Sequence, residues 1–309
     1  MLIGLIFSME IFMKINKDVI GPMRIPFLIL TPACVLLGVA AAIQSGTNIN
    51  PLHVLLVLVA ALCTHISVNS FNEYDDFRTG LDTHTQRTPF SGGSGTLPAK
   101  PQMRWTALAI ALVSLGIIIL TGIYFTWLYG LALLPLGLLG IFVILAYTPW
   151  LTHSPVLCLV APGLGFGPLM VMGTYFALTG QYSLTAFVAS LVPFFLVSNL
   201  LLLNQFPDVE ADKTVGRRHF PILIGRRQSS YIFSAFLVLT YVTIVVGVLF
   251  SILPFWSLLG LATLYLAIPL LKGSVANAED IQKLIPFMGK NVMVNLLTPV
   301  LVAIGIFIH

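Results

Sequence analysis

Charge is what this sequence has least of. Only 8% of its 309 residues are Asp, Glu, Lys or Arg, while 58% are hydrophobic, and the mean hydropathy is +0.99. A water-soluble domain carries about 25% charged residues to cover its surface. The shortage therefore excludes a soluble enzyme, a disordered chain and a secreted disulfide scaffold. Cysteine is scarce too. Cys34, Cys63 and Cys158 lie inside apolar runs without CxxC spacing and read as small packing residues. The first 13 residues, MLIGLIFSMEIFM, lack a cationic leader and a small-residue cleavage site. Residues 1–24 thus read as an interfacial segment, not a signal peptide. The net charge of +4 comes without an exposed cluster of bases, so nucleic acid is not an expected partner.

What is abundant is long apolar runs, of the roughly 20 residues that a ~30 Å hydrocarbon layer requires. Nine stand out: 25–43, 51–72, 105–124, 128–149, 154–178, 184–207, 229–251, 254–272 and 291–308. The expectation is an all-α, polytopic membrane protein: one integral domain over 1–309, a bundle of nine transmembrane helices with a cytoplasmic-side cavity, and the lipid bilayer as its partner. All 15 Lys and Arg fall before the first run or in and around the connections 2–3, 6–7 and 8–9. The positive-inside rule then makes the N-terminus and the loops 73–104 and 208–228 cytoplasmic and the C-terminus external, in a cell (inner) membrane. The segment 273–290 fits either an amphipathic cap or a solvated connector. All 11 Asp and Glu share the basic face, which the topology rule does not demand.

Two acidic clusters close helices at that face. If the second helix continues through its cluster, Asn69, Asn72 and Asp76 recur at i, i+3 and i+7, on one side. At the end of the sixth, Asn204, Asp208 and Asp212 recur at i, i+4 and i+8. Carboxylates near hydrocarbon are costly and usually functional. Oxygen donors without His or Cys clusters suit Mg²⁺, which takes one or two carboxylates, waters and substrate phosphates. Groups that suit phosphate follow each cluster: Arg87 with the Gly/Ser stretch Ser91-Gly92-Gly93-Ser94-Gly95, and Lys213 with Arg217 and Arg218. Arg24, at the mouth of the first helix, can reach the same place, whereas Arg226 and Arg227 read as membrane-surface anchors. His65, one turn before Asn69, reads as a hydrogen-bonded packing residue or an acceptor contact.

These residues resemble the UbiA-type superfamily of intramembrane aromatic prenyltransferases. Asn72-Glu73-Tyr74-Asp75-Asp76-Phe77-Arg78-Thr79-Gly80-Leu81-Asp82 is similar to its first motif, N-D-x-x-D-x-x-x-x-x-D. The stretch from Asp208 through Glu210, Asp212, Lys213 and Gly216 to Arg217 and Arg218 is similar to its second, D-x-E-x-D-[KR]-x-x-G-[KR]-[KR]. Tyr147-Thr148 and the Phe166–Tyr175 stretch resemble the branch that prenylates 1,4-dihydroxy-2-naphthoate in menaquinone synthesis. Three positions depart from the pattern: Glu73 for the usual Asp, Pro207 for Arg, and His219-Phe220-Pro221 for a Thr-Leu-type sequence.

The resemblance implies Mg²⁺-dependent transfer of a polyprenyl group from an allylic prenyl diphosphate to an aromatic acceptor, with release of pyrophosphate. It implies catalytic Asp76, Asp208 and Asp212, and Mg²⁺ held by Asn72, Asp76, Asp208 and Asp212 with support from Asp82. Arg24, Arg87, Lys213 and Arg217 would neutralise the diphosphate, and His65, Asn69, Tyr74, Tyr147, Tyr175 and Asn204 would line the cavity. Other acceptors stay open (4-hydroxybenzoate, homogentisate or a glycerol phosphate lipid), as does a transporter for an anionic lipid or metal ion.

Overall fold

A computed structural model of the chain describes residues 19–81 and 87–308. All regular secondary structure among the described residues is helical. Two 3₁₀ turns, Gly21–Met23 and Ile25–Ile29, lead into α1 (Leu30–Gln44). The bundle continues through α2 (Pro51–Thr79), α3 (Arg104–Tyr129), α4 (Leu134–Ala146) and α5 (Pro155–Thr179). It closes with α6 (Leu184–Thr214), α7 (Gly225–Leu249), α8 (Leu264–Ala276, after a 3₁₀ stretch Phe255–Thr263) and α9 (Ile281–Phe307). Eight of these stretches are long and apolar enough to cross a membrane, and the ninth, Leu131–Ala146, is shorter. The chain is an integral membrane protein.

Local chemistry sets the boundaries. Asn50 caps α2 by accepting from the Leu52 N–H at 2.9 Å, with Pro51 at the first helical position where no donor is needed. Asp280 caps α9 by accepting from the Lys283 N–H at 3.2 Å. Lys283 bonding holds the Asp280 carboxyl below its ordinary pKa, so the cap stays charged near neutral pH. That cap starts α9 ten residues before the sequence-based boundary at 291, and 273–290 becomes the end of α8, a turn and the start of α9. The segment is therefore no separate amphipathic cap.

α6 lies at the centre, packed by α5, α7, α9 and α1, and α9 returns to α1 to close the bundle. The α5–α6 approach is close because two glycines permit it. A Cβ at Gly163 or Gly167 would collide with the backbone of Phe194 or Ser190. Between Gly165 and Met172 the α5 backbone adopts π-helical turns around Pro168, which has no N–H to give to an α ladder. The three cysteines are free and buried, as their apolar surroundings predict.

Candidate active site

The acidic clusters are helical as far as Thr79 and Thr214. α2 runs to Thr79 and ends at Gly80, in the left-handed conformation (φ 80°). α6 runs to Thr214, carrying Pro207 inside it. The segments 73–104 and 208–228 thus begin on the helices, and the periodic stripes hold. Asn69, Asn72 and Asp76 from α2, and Asn204, Asp208 and Asp212 from α6, face one cavity.

The end of α6 brings in the site's cation. Gly216 takes φ 76°, the Gly216 N–H bonds Lys213 O at 3.2 Å, and the Arg217 N–H bonds Asp212 O at 3.1 Å. This is a Schellman turn, which needs glycine at the left-handed position and folds the next residue back over the helix. The Arg218 N–H then docks on Thr152 O at 3.0 Å, fixing the returning strand of chain. As a result Arg217 bridges the two helices. Its Nη1 donates to Asp212 Oδ1 at 2.9 Å and its Nη2 to Asp76 Oδ1. Burial works against the Arg217 charge, but the Asp76 and Asp212 carboxylates more than offset it and raise its pKa above the ordinary value. Asp212 Oδ2 pairs with His219 Nε2 at 2.9 Å.

On the facing wall, Arg24 donates from Nε to Glu73 Oε1 at 2.8 Å and from Nη2 to Asn72 Oδ1 at 2.9 Å. Asn72 donates to Thr148 Oγ1 at 3.3 Å, and Asn69 to Met23 O at 3.1 Å. The Gly/Ser stretch closes the mouth: Ser91, Gly92, Gly93 and Ser94 line the cavity, with Gly92 and Gly93 at φ 87° and 70°. The Ser91 side chain is a hydrogen-bond neighbour of Asp208.

The cavity has a volume of about 1170 Å³ and two unlike ends. The polar end holds the carboxylates and Arg217. The other end is apolar, walled by Ile118, Gly122, Leu134, Gly137 and Ile141 from α3 and its successor and by Phe166 and Met170 from α5. Its rim includes Ile123, Trp127 and Leu138, which are exposed on the outside of the bundle, so the chamber reaches the lipid-facing surface.

Of the residues picked out from the sequence, Arg24, His65, Tyr147 and Arg217 also line this cavity. His65 is buried, with Nδ1 2.9 Å from Thr31 Oγ1 and its ring edge-on to Phe166. Four others are not brought there. Lys213 is exposed and paired with Glu210 at 2.9 Å, because one residue beyond Asp212 lies about 100° around the helix. Arg87 lies over Gly95, whose Cβ position its guanidinium would occupy. Tyr74 faces Trp105 at 6.4 Å between ring centroids, in a separate small pocket. Tyr175 is buried with Ala41, Ala42, Leu178 and Ala186. Asp82 lies outside the described residues, as does His84. The residues that spacing did not find are His219, Asn295 on α9, and Gln205 with Cys158, whose Sγ accepts from Gln205 Nε2 at 3.1 Å. Only the departure of His219 from the motif pattern gave a signal.

Among the described residues, no group of three His, Cys, Asp or Glu converges closely enough to hold a metal ion by itself. The donor chemistry nonetheless fits a hard cation. Asp76, Asp208, Asp212 and Asn72 line one cavity with oxygen donors; Asp208 Oδ1 is buried without a hydrogen-bond partner, while a cation would share the Asp212, Asp76 and Asn72 groups with His219, Arg217 and Arg24. A cation there would be completed by oxygens that the protein does not supply, those of a phosphate-bearing ligand and water.

An oxygen-rich, charged mouth over an apolar chamber that reaches the lipid-facing surface has two ends of opposite chemistry within one membrane-embedded cavity. The chain belongs to the UbiA prenyltransferase family, whose model matches residues 31–291. It is thus a prenyltransferase, which removes the transporter reading. It is 28% identical over 277 residues to 1,4-dihydroxy-2-naphthoate octaprenyltransferase of Bacillus subtilis, covering 89% of this chain and 87% of that one. Its fold is similar to a UbiA homolog from Aeropyrum pernix (TM-score 0.69, 18% identity, 92% of this chain and 98% of that one). It is also similar to a UbiA homolog from Archaeoglobus fulgidus bound to DMAPP and Mg²⁺ (TM-score 0.59, 14% identity, 94% of this chain and 99% of that one).

Proposed function

We propose that the protein transfers a polyprenyl group from an allylic diphosphate to 1,4-dihydroxy-2-naphthoate, with Mg²⁺ as cofactor, at the cytoplasmic side of a cell membrane. One observation carries the reading: a single cavity joins the Asp76–Asp208–Asp212–Arg217 end to an apolar chamber that reaches the bilayer. A prenyl diphosphate has the same two ends. The similarity to a naphthoate octaprenyltransferase supports the acceptor and a long chain.

Asp76, Asp208 and Asp212, with Asn72, would hold Mg²⁺ against the diphosphate, and Asp82 is a further candidate. When bound, the metal supplies positive charge that stabilises the leaving pyrophosphate. Arg217 adds fixed charge from the protein, and the Ser91–Ser94 backbone bounds the diphosphate's space. The chamber walls on α3, α4 and α5 take the chain and exclude water from the allylic carbon once its C–O bond breaks. Tyr147, His65 and Asn204 border the space in which the acceptor ring must approach that carbon.

The test uses purified protein, Mg²⁺, a radiolabelled prenyl diphosphate and a panel of aromatic acceptors. A prenylated product of the naphthoate ring, with the attacked carbon's proton lost as H+ or its carboxyl group lost as CO2, and stoichiometric pyrophosphate support the reading. Full transfer by Asp76→Ala and Asp208→Ala refutes the site, and activity insensitive to EDTA refutes the metal.

A further inference from the structure

We propose that Glu73 is a positioning residue that latches Arg24 and the Gly/Ser loop onto α2, and so sets the rim around the diphosphate; this rests on the prenyl-diphosphate reading above. Glu73 follows Asn72 in the motif, where the resembling pattern has Asp, and a longer acid there suggests an extra metal ligand. The geometry assigns it otherwise. Its side chain is fully buried and does not face the cavity that Asn72 and Asp76 line.

Both of its oxygens are taken by protein donors. Oε1 accepts from Arg24 Nε at 2.8 Å and from the Ser94 N–H at 2.7 Å, with Arg24 Nη2 at 2.7 Å. Oε2 accepts from Ser94 Oγ at 2.8 Å. One carboxylate therefore ties together three segments distant in sequence: the turn before α1, the end of α2, and the loop whose Ser91–Ser94 line the cavity mouth. An Asp would stop one methylene short, about 1.5 Å, of these donors.

What the latch holds is strained and functional. Arg24 has φ 53° and ψ 51°, the left-handed region that a non-glycine residue keeps only where surrounding contacts over-determine it. From that position its Nη2 reaches Asn72 Oδ1 at 2.9 Å, and Asn72 Nδ2 reaches Thr148 Oγ1 at 3.3 Å. The orientation of the Asn72 amide in the cavity is thus set through Arg24 by Glu73. On the other side, Ser94 anchors the two glycines at φ 87° and 70° whose backbone bounds the diphosphate.

The experiment compares wild type with Glu73→Gln, Glu73→Asp and Ser94→Ala in lipid nanodiscs. Hydrogen exchange without substrate is measured over residues 21–27 and 91–97, with α9 as the fold control, together with kcat and both KM values. Glu73→Gln should speed exchange in both segments and leave α9 unchanged. It should also raise KM for the prenyl diphosphate about tenfold while changing kcat and the acceptor KM by less than about threefold. Ser94→Ala should speed exchange in 91–97 alone, and Glu73→Asp, too short to reach the Arg24 and Ser94 donors, should speed exchange in both segments as Glu73→Gln does. Unchanged exchange in Glu73→Gln overturns the latch, and so does a loss confined to kcat. Wild-type protein that transfers no prenyl group to any acceptor overturns the functional reading, while the exchange data still judge the latch.

Discussion

Removing Arg217 probes the site most sharply, because one guanidinium holds two helices by their carboxylates. Arg217, Asp76 and Asp212 are 15%, 9% and 4% exposed at their side chains, so little water is at hand to replace a lost partner. Breaking a buried pair by removing one partner costs about 3–5 kcal/mol, because the other charge is left uncompensated. Arg217→Ala strands the Asp76 carboxylate while Asp212 keeps its His219 partner, so we expect the lower end of that range, about 3 kcal/mol. Asp76→Asn leaves Arg217 paired with Asp212 and should cost about 2 kcal/mol. In the double variant the stranded Asp76 charge no longer exists. The total should therefore stay near 3 kcal/mol, a coupling of about 2 kcal/mol between residues 141 positions apart. Reversible unfolding in mixed micelles measures all three. Additivity to within about 0.5 kcal/mol would refute the bridge, since uncoupled sites behave that way. Arg217→Lys is a useful companion: a single ammonium lacks the fork that serves both acids, and it should recover less than half of the loss.

Asp208→Asn should lower kcat/KM at least a hundredfold, about 2.7 kcal/mol of transition-state stabilisation, while changing thermal stability little, because Oδ1 has no protein partner and an amide oxygen can still accept from Ser91. Lys213→Ala should keep transfer activity within about twofold, as an exposed ion pair with Glu210 contributes little, and a steady-state assay decides this. Gly137 lines the apolar chamber with open space beside its Cβ position. Gly137→Phe should raise KM for a long-chain prenyl diphosphate at least tenfold more than for a short one, read by parallel kinetics with two chain lengths. Treatment with EDTA should abolish transfer, and added Mg²⁺ should restore it.

The stripes on α2 and α6 were legible in the sequence because helical spacing alone decides which side chains share a face, and both helices run through their acidic clusters without a break. Periodicity served less well wherever the backbone left the ideal helix. Lys213 sits beside Asp212 in sequence but points away from it, while Arg217, four residues further on, returns to the cavity only because Gly216 reverses the chain. Tyr175 came from the resemblance and not from spacing. The π-helical turns of Gly165–Met172 shift the phase of α5, so Gly173 and Thr174 line the cavity and Tyr175 packs against α1 and α6. His219 was visible only as a departure from a motif, since its pairing with Asp212 depends on the same reversal. Glu73 shows the limit of reading a cluster by charge, because Asn72 before it faces the cavity and it faces the protein.

The most direct test of the central claim is mass spectrometry of the products formed from one labelled polyprenyl diphosphate, Mg²⁺ and a panel of acceptors, run on wild type and Asp208→Ala. Wild type should give pyrophosphate and a prenylated product of the naphthoate ring, with loss of H+ or CO2, and the variant a yield at least a hundredfold lower. Equal yields from the two proteins, or an adduct of hydroxybenzoate alone, would contradict it.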